Sequence, residues 1–153
     1  MPGTMLILRG VTNLEMWPKY PRGALDEVSA KEYAKRRGYD PEVLDVSGEA
    51  RGEAAKRPQV KQALARFSQT PSVTALYGFS GGGYNAYWIL KMLGSQDRAR
   101  LQLVVILGVE EEKAPHSLYA KDAFGGNWEL VYHTDWPHVG HIDGPRMLLT
   151  TLH

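Results

Sequence analysis

The stretch Leu101–Val109, LQLVVILGV, is apolar apart from Gln102 and Gly108 and shows no alternation of polar and apolar residues. A strand of that kind is buried on both faces, so the fold must supply one layer above it and another below. Similar runs occur at Met5–Leu8, Val73–Tyr77 and Trp128–Thr134, with a shorter strand expected over Glu42–Val46. Helical signals lie between them. Ser29-Ala-Lys-Glu32 is a capping box, which predicts a helix over 29–37 that stops at Gly38. Pro58 suits a first helical turn, Val60, Leu64 and Phe67 follow at helical spacing, and Pro71 closes that segment. Further helices are expected over Tyr84–Leu93, over Ala114–Ala120 and from Pro145 through Leu152. Strands alternating with helices predict an α/β fold, a single three-layer domain over residues 1–153. Its core is a parallel sheet of about five strands with helices on both faces. A chain of 153 residues buries roughly 70% of its unfolded surface, enough for such a core.

Charge narrows the partners. The chain carries 18 basic and 17 acidic residues, a net charge of +1, so no basic field is available for a nucleic-acid backbone. With no cysteine there is no disulfide, thiolate metal site or cysteine nucleophile. The opening MPGTMLILRG has no basic segment ahead of its short apolar run, and no apolar stretch approaches a membrane span. The expectation is a cytoplasmic protein with a small-molecule partner, no nucleic acid, no membrane and no cofactor.

Gly78-Phe-Ser80-Gly-Gly82 matches G-x-S-x-G and lies between a predicted strand and a predicted helix, the context that motif requires. A serine on so sharp a turn leaves no room for side chains two residues before or after it, and Gly78 and Gly82 meet that demand. Its hydroxyl then stands above the carboxyl edge of the sheet, where ligands bind in open α/β folds. The backbone N–H of Gly81 faces the same space as an oxyanion donor. The bland alternative is a phosphate-cradling or merely flexible glycine turn, but the glycines are not spaced G-x-G-x-x-G and no Gly-Lys-Ser/Thr follows.

A serine hydroxyl needs a base to take its proton. Of the five histidines, His141 and His138 lie beyond the last predicted strand at the edge that carries Ser80, and His141 is the favoured base. Asp135, at the end of that strand, is the favoured orienting acid, and Glu110 at the end of the preceding strand is its rival. Glu111, Glu112, Asp122 and Asp143 are weaker alternatives. The chain order Ser80…Asp135…His141 is the order used by α/β-hydrolases. Trp17 and Tyr20, in the long loop after the first strand, and Trp136 are candidates for lining a substrate pocket, against a reading in which they only pack loops.

These residues resemble the α/β-hydrolase fold in a minimal form similar to cutinases. Arg9-Gly10-Val11-Thr12, Gly78-Phe-Ser80-Gly-Gly82 and Gly140-His141 carry the resemblance, which spans nearly the whole chain. It implies an ester-cleaving serine hydrolase. It also implies a second oxyanion N–H from Val11 or Thr12, with Thr12 favoured because its hydroxyl adds a donor. The chain departs from cutinases in lacking cysteine and in the short spacing of Asp135 and His141.

Two other classes compete. His133, Asp135, His138 and His141 form H-x-D-x-x-H-x-x-H, ligand types suited to zinc or manganese in a metal-dependent hydrolase. A non-catalytic binding module on a hydrolase fold is the third reading.

Overall fold

The computed structural model describes residues 3–10, 22–109 and 128–134; the side chains of 22–26, 108, 109, 133 and 134 are not part of that description. Ten elements follow in order: β1 (Thr4–Leu8), α1 (Arg22–Arg36), β2 (Asp40–Val43), a 3₁₀ turn (Ala54–Lys56), α2 (Pro58–Gln69), β3 (Val73–Phe79), α3 (Gly81–Met92), α4 (Ser95–Ala99), β4 (Leu103–Val109) and β5 (Glu129–Thr134). The five strands form one sheet in the order β2-β1-β3-β4-β5, and every neighbouring pair is parallel. This is the expected α/β class.

The alternation along each strand sorts side chains into two cores. Leu6, Leu8, Leu76, Val104 and Ile106 face one side, where Val60, Ala63 and Phe67 of α2 and Ala86, Ile89 and Leu90 of α3 cover them. Met5, Ile7, Ala75, Tyr77, Phe79, Leu103, Val105 and Leu107 face the other, covered by Ala30, Tyr33 and Ala34 of α1. The three layers are therefore α1, the sheet, and α2 with α3. Because both faces are dry, the strands need no polar positions, which is why they appear in the sequence as unbroken apolar runs.

Strand order fixes where a site can form. The chain moves outward from β1 to β2, then returns past β1 to β3, so the crossover helices change face between the two steps. The carboxyl ends of β1 and β3 flank that switch point, the crevice in which open α/β sheets bind ligands.

The short helix α4 was not expected, β3 and β4 are shifted by two residues at one end, and three further boundaries differ from expectation. Helix α1 begins at Arg22 rather than at Ser29, and Ser29 is buried in its interior at 7% exposure. A serine and a glutamate three apart share a face anywhere in a helix, so their spacing alone does not mark its start. The second strand is Asp40–Val43 rather than Glu42–Val46. It tolerates Pro41 because β2 is the edge strand of the sheet among the described residues. Helix α3 starts at Gly81, three residues before the expected start. No helix among the described residues is long and apolar enough to cross a membrane.

Candidate functional site

β3 ends at Phe79, and the backbone turns sharply at Ser80, with φ 58° and ψ −121°. Among the described residues Ser80 is the one non-glycine with positive φ. Such a conformation is unfavourable by about 1–3 kcal/mol and persists only where its surroundings enforce it. The enforcement is visible. The Ser80 N–H donates to the Leu107 carbonyl of β4 at 2.9 Å, while its own carbonyl accepts from the N–H groups of Gly83 and Tyr84 at 2.8 and 3.2 Å. The elbow is thus pinned to the sheet on one side and to the first turn of α3 on the other. Ser80 is half-buried, and its side chain makes no cap hydrogen bond to the start of α3.

The glycines around the elbow are there for space. A Cβ on Gly78 would meet the Gly82 carbonyl group and lie 3.0 Å from the Ala86 Cβ. A Cβ on Gly82 would strike the Leu8 carbonyl and sit 2.8 Å from the Arg9 oxygen. Both substitutions would push α3 off the strands it rests on. The motif glycines therefore let a helix start directly against β1 and β3, which brings its N-terminus to the switch point. The positive end of the helix dipole accompanies it.

The turn after β1 closes the other side. Gly10 faces Ser80: a Cβ there would stand 3.2 Å from the Ser80 Cβ and 3.7 Å from its Oγ. The Gly10 carbonyl accepts from the Gly48 N–H at 2.9 Å, which ties in the segment after β2. Arg9 pairs with Glu27 Oε1 at 2.7 Å and with Asp45 Oδ1 at 3.1 Å. The sequence-predicted Arg9-Gly10 turn and the serine motif thus come together in space, although they are far apart in the chain.

No protein-family model matches the chain, and no curated protein matches it. The functional reading accordingly stands on the geometry and the motif.

Of the other predicted site residues, Gly81 is the first, buried residue of α3. The backbone of His133 lies in β5, paired in register with Leu107, which itself pairs with Phe79. The end of β5 is therefore level with the elbow and two strands away, about 9.6 Å at the usual strand spacing. The chain leaves β4 and β5 at Val109 and Thr134, one residue before Glu110 and Asp135 respectively. Val11, Thr12, Trp17, Tyr20, Glu110, Glu111, Glu112, Asp122, Asp135, Trp136, His138, His141 and Asp143 lie outside the described residues, as do the expected helices over 114–120 and from Pro145. No cluster of three or more His, Cys, Asp or Glu suited to a metal occurs among the described residues, and the His133/Asp135/His138/His141 quartet falls almost wholly outside them.

A buried polar network beside the elbow has no counterpart in the sequence reading. Gln59 of α2 and Asn85 of α3 are both fully buried. Asn85 Nδ2 donates to Gln59 Oε1 at 2.9 Å and to the Glu49 carbonyl at 3.1 Å. Gln59 Nε2 donates to the carbonyls of Arg9 at 3.0 Å and Val46 at 3.2 Å. Arg57 closes the network by donating to Asn85 Oδ1 at 3.0 Å and to the Gly52 carbonyl. These acceptors are all neutral oxygens, and burial pushes the Arg57 guanidinium below its ordinary pKa. Nothing local announces this network. Polar residues on predicted helices read as solvent-facing until the helices are packed.

Proposed function

We propose that the protein is a serine hydrolase of the α/β-hydrolase type that cleaves an ester or related acyl bond of a small molecule. The observation that carries the reading is Ser80, a non-glycine residue at φ 58° on the turn between β3 and α3. Its hydroxyl is close to the Arg9-Gly10 turn and beside the positive end of a helix. Strained serines of this kind expose Oγ at the topological switch point of the sheet, and a phosphate-binding turn does not require the strain.

In this reading His141 removes the Ser80 proton as Oγ adds to the acyl carbon. Asp135, with Glu110 as its rival, orients the imidazole and stabilises its charged form. The N–H of Gly81 and a donor from Thr12 hold the developing oxyanion. Collapse of the tetrahedral species breaks the bond to the leaving alcohol, which takes the proton from His141. Water then adds to the acyl-enzyme by the same route and releases the acid and Ser80. Trp17, Tyr20 and Trp136 are assigned to the acyl or alcohol pocket. A cysteine-free chain suits the reducing cytoplasm, the location we assign.

The test is a series of p-nitrophenyl esters of rising acyl length, assayed on wild type and Ser80→Ala, together with labelling by a fluorophosphonate. Turnover that falls by a factor of about 10³ or more in the variant, with labelling lost, is the expected result. Esterase activity retained in a folded Ser80→Ala protein would rule the mechanism out.

A further inference from the structure

We infer that Gln59 and Asn85 are positioning residues that hold the Arg9–Gly10 peptide in place against Ser80, an inference that rests on the serine-hydrolase reading above. Both side chains are 0% exposed, in helices whose other buried positions are almost all apolar or glycine. Burying a primary amide is unfavourable unless every donor and acceptor is matched. Here they are: the two N–H groups of Asn85 reach Gln59 Oε1 and the Glu49 carbonyl, and those of Gln59 reach the Arg9 and Val46 carbonyls. Arg57 fills Asn85 Oδ1.

The network runs from the elbow to the turn it faces. Asn85 sits on α3, the helix that Ser80 begins, and Gln59 passes the connection to the Arg9 carbonyl. A trans peptide is planar, with its C=O and N–H pointing in opposite directions. Fixing the Arg9 oxygen therefore fixes the direction of the Gly10 N–H. Gly10 is the residue that faces Ser80, and glycine leaves rotation about its φ nearly unrestricted. Without Gln59 the Arg9 carbonyl loses its side-chain donor, and a flip of the Arg9–Gly10 peptide becomes accessible. Such a flip would displace any oxyanion donor supplied by the turn while leaving Ser80 intact. Gln59 and Asn85 thus act on the rate of the chemical step rather than on the affinity for substrate.

The experiment uses Gln59→Met, which keeps length and removes the donor, and Asn85→Asp, which keeps the acceptor for Arg57 and removes the donor to Gln59. Each is assayed with p-nitrophenyl butyrate, and active sites are counted by fluorophosphonate labelling. Expected is a fall in kcat per labelled site of about 10–100-fold with KM changed by less than about threefold, as for the loss or misplacement of an oxyanion donor. Wild-type kcat per labelled site in either folded variant, with only a lowered Tm, would overturn the inference and leave the pair a purely structural network. If Gln59→Met does not fold, Asn85→Asp decides on the same criterion. Wild-type protein that takes no label and hydrolyses no ester would instead overturn the serine-hydrolase reading, and this inference with it.

Discussion

Replacing Gly82 by alanine adds one methyl group at the closest approach of α3 to β1. The new Cβ would sit 2.8 Å from the Arg9 oxygen and 2.8 Å from the Leu8 carbonyl carbon, against 3.4 Å for ordinary contact. The shortfall is at least 0.6 Å, because the Leu8 oxygen lies nearer still, and every obstacle is backbone, so no side chain can swing away. Either the first turn of α3 lifts or β1 bends. Overpacking of this kind costs about 1–3 kcal/mol. At about 2–4 °C per kcal/mol for a chain of this size, Tm should fall by roughly 2–12 °C. The same displacement separates Ser80 from the Arg9–Gly10 turn, and misplacement approaching 1 Å reduces turnover by about 10–100-fold. Gly94→Ala is the control, because Gly94 has ordinary φ and nothing within 4 Å of an added Cβ. Differential scanning calorimetry and ester turnover on both variants make the comparison. A Gly82→Ala protein as stable and active as Gly94→Ala would refute the close backbone approach on which the elbow geometry depends.

Two further perturbations test the body of the fold. Thr74 Oγ1 is buried without a hydrogen-bond partner among the described residues, so Thr74→Val, which keeps the shape, should raise stability by about 1 kcal/mol in urea titration; a loss of stability would mean that the hydroxyl is satisfied. Tyr33 is 2% exposed, and burial pushes its phenol pKa above the ordinary value, against an opposing influence from Arg37, whose Nη1 donates to the phenol oxygen at 2.8 Å. A raised pKa means that the folded state holds the proton more tightly. The resulting stability is present below a pH of about 10 and is lost as pH rises through the folded value. Tyr33→Phe should therefore lose less stability between pH 9 and pH 11 than wild type does, and parallel urea midpoints in the two proteins would contradict this.

The sheet was legible because its physics is local to each strand. Val73–Phe79 and Leu103–Leu107 are buried on both faces, and nothing but an apolar run can be. The start of α3 was not legible. Gly81, Gly82 and Gly83 are poor helix formers, and the helix begins there because Gly82 packs against Leu8 and Gly78, where nothing larger fits. The beginning of α1 was hidden in the same way, since its capping-box pattern recurs inside the helix. For the site, the serine motif was visible because its strain demands glycines at fixed offsets. Gln59 and Asn85 were not, because their meaning depends on two helices meeting. Pro41 misplaced β2 because being an edge is a property of the assembled sheet rather than of the segment.

The close meeting of Leu8–Arg9, Gly48 and Gly82 also orders events during folding. Each belongs to a different stretch of chain, separated from the next by at least one complete strand or helix. None of these contacts exists in an isolated hairpin or helix, and each requires a loop to be closed first. The backbone conformation of Ser80 lacks its bond to the Leu107 carbonyl until β3 and β4 have paired, and lacks its backing by Leu8 and Arg9 until α3 has docked on β1. A refolding chain should therefore regain its far-ultraviolet dichroism before the elbow locks, and copies that stall on the way carry strands and helices but an inert serine.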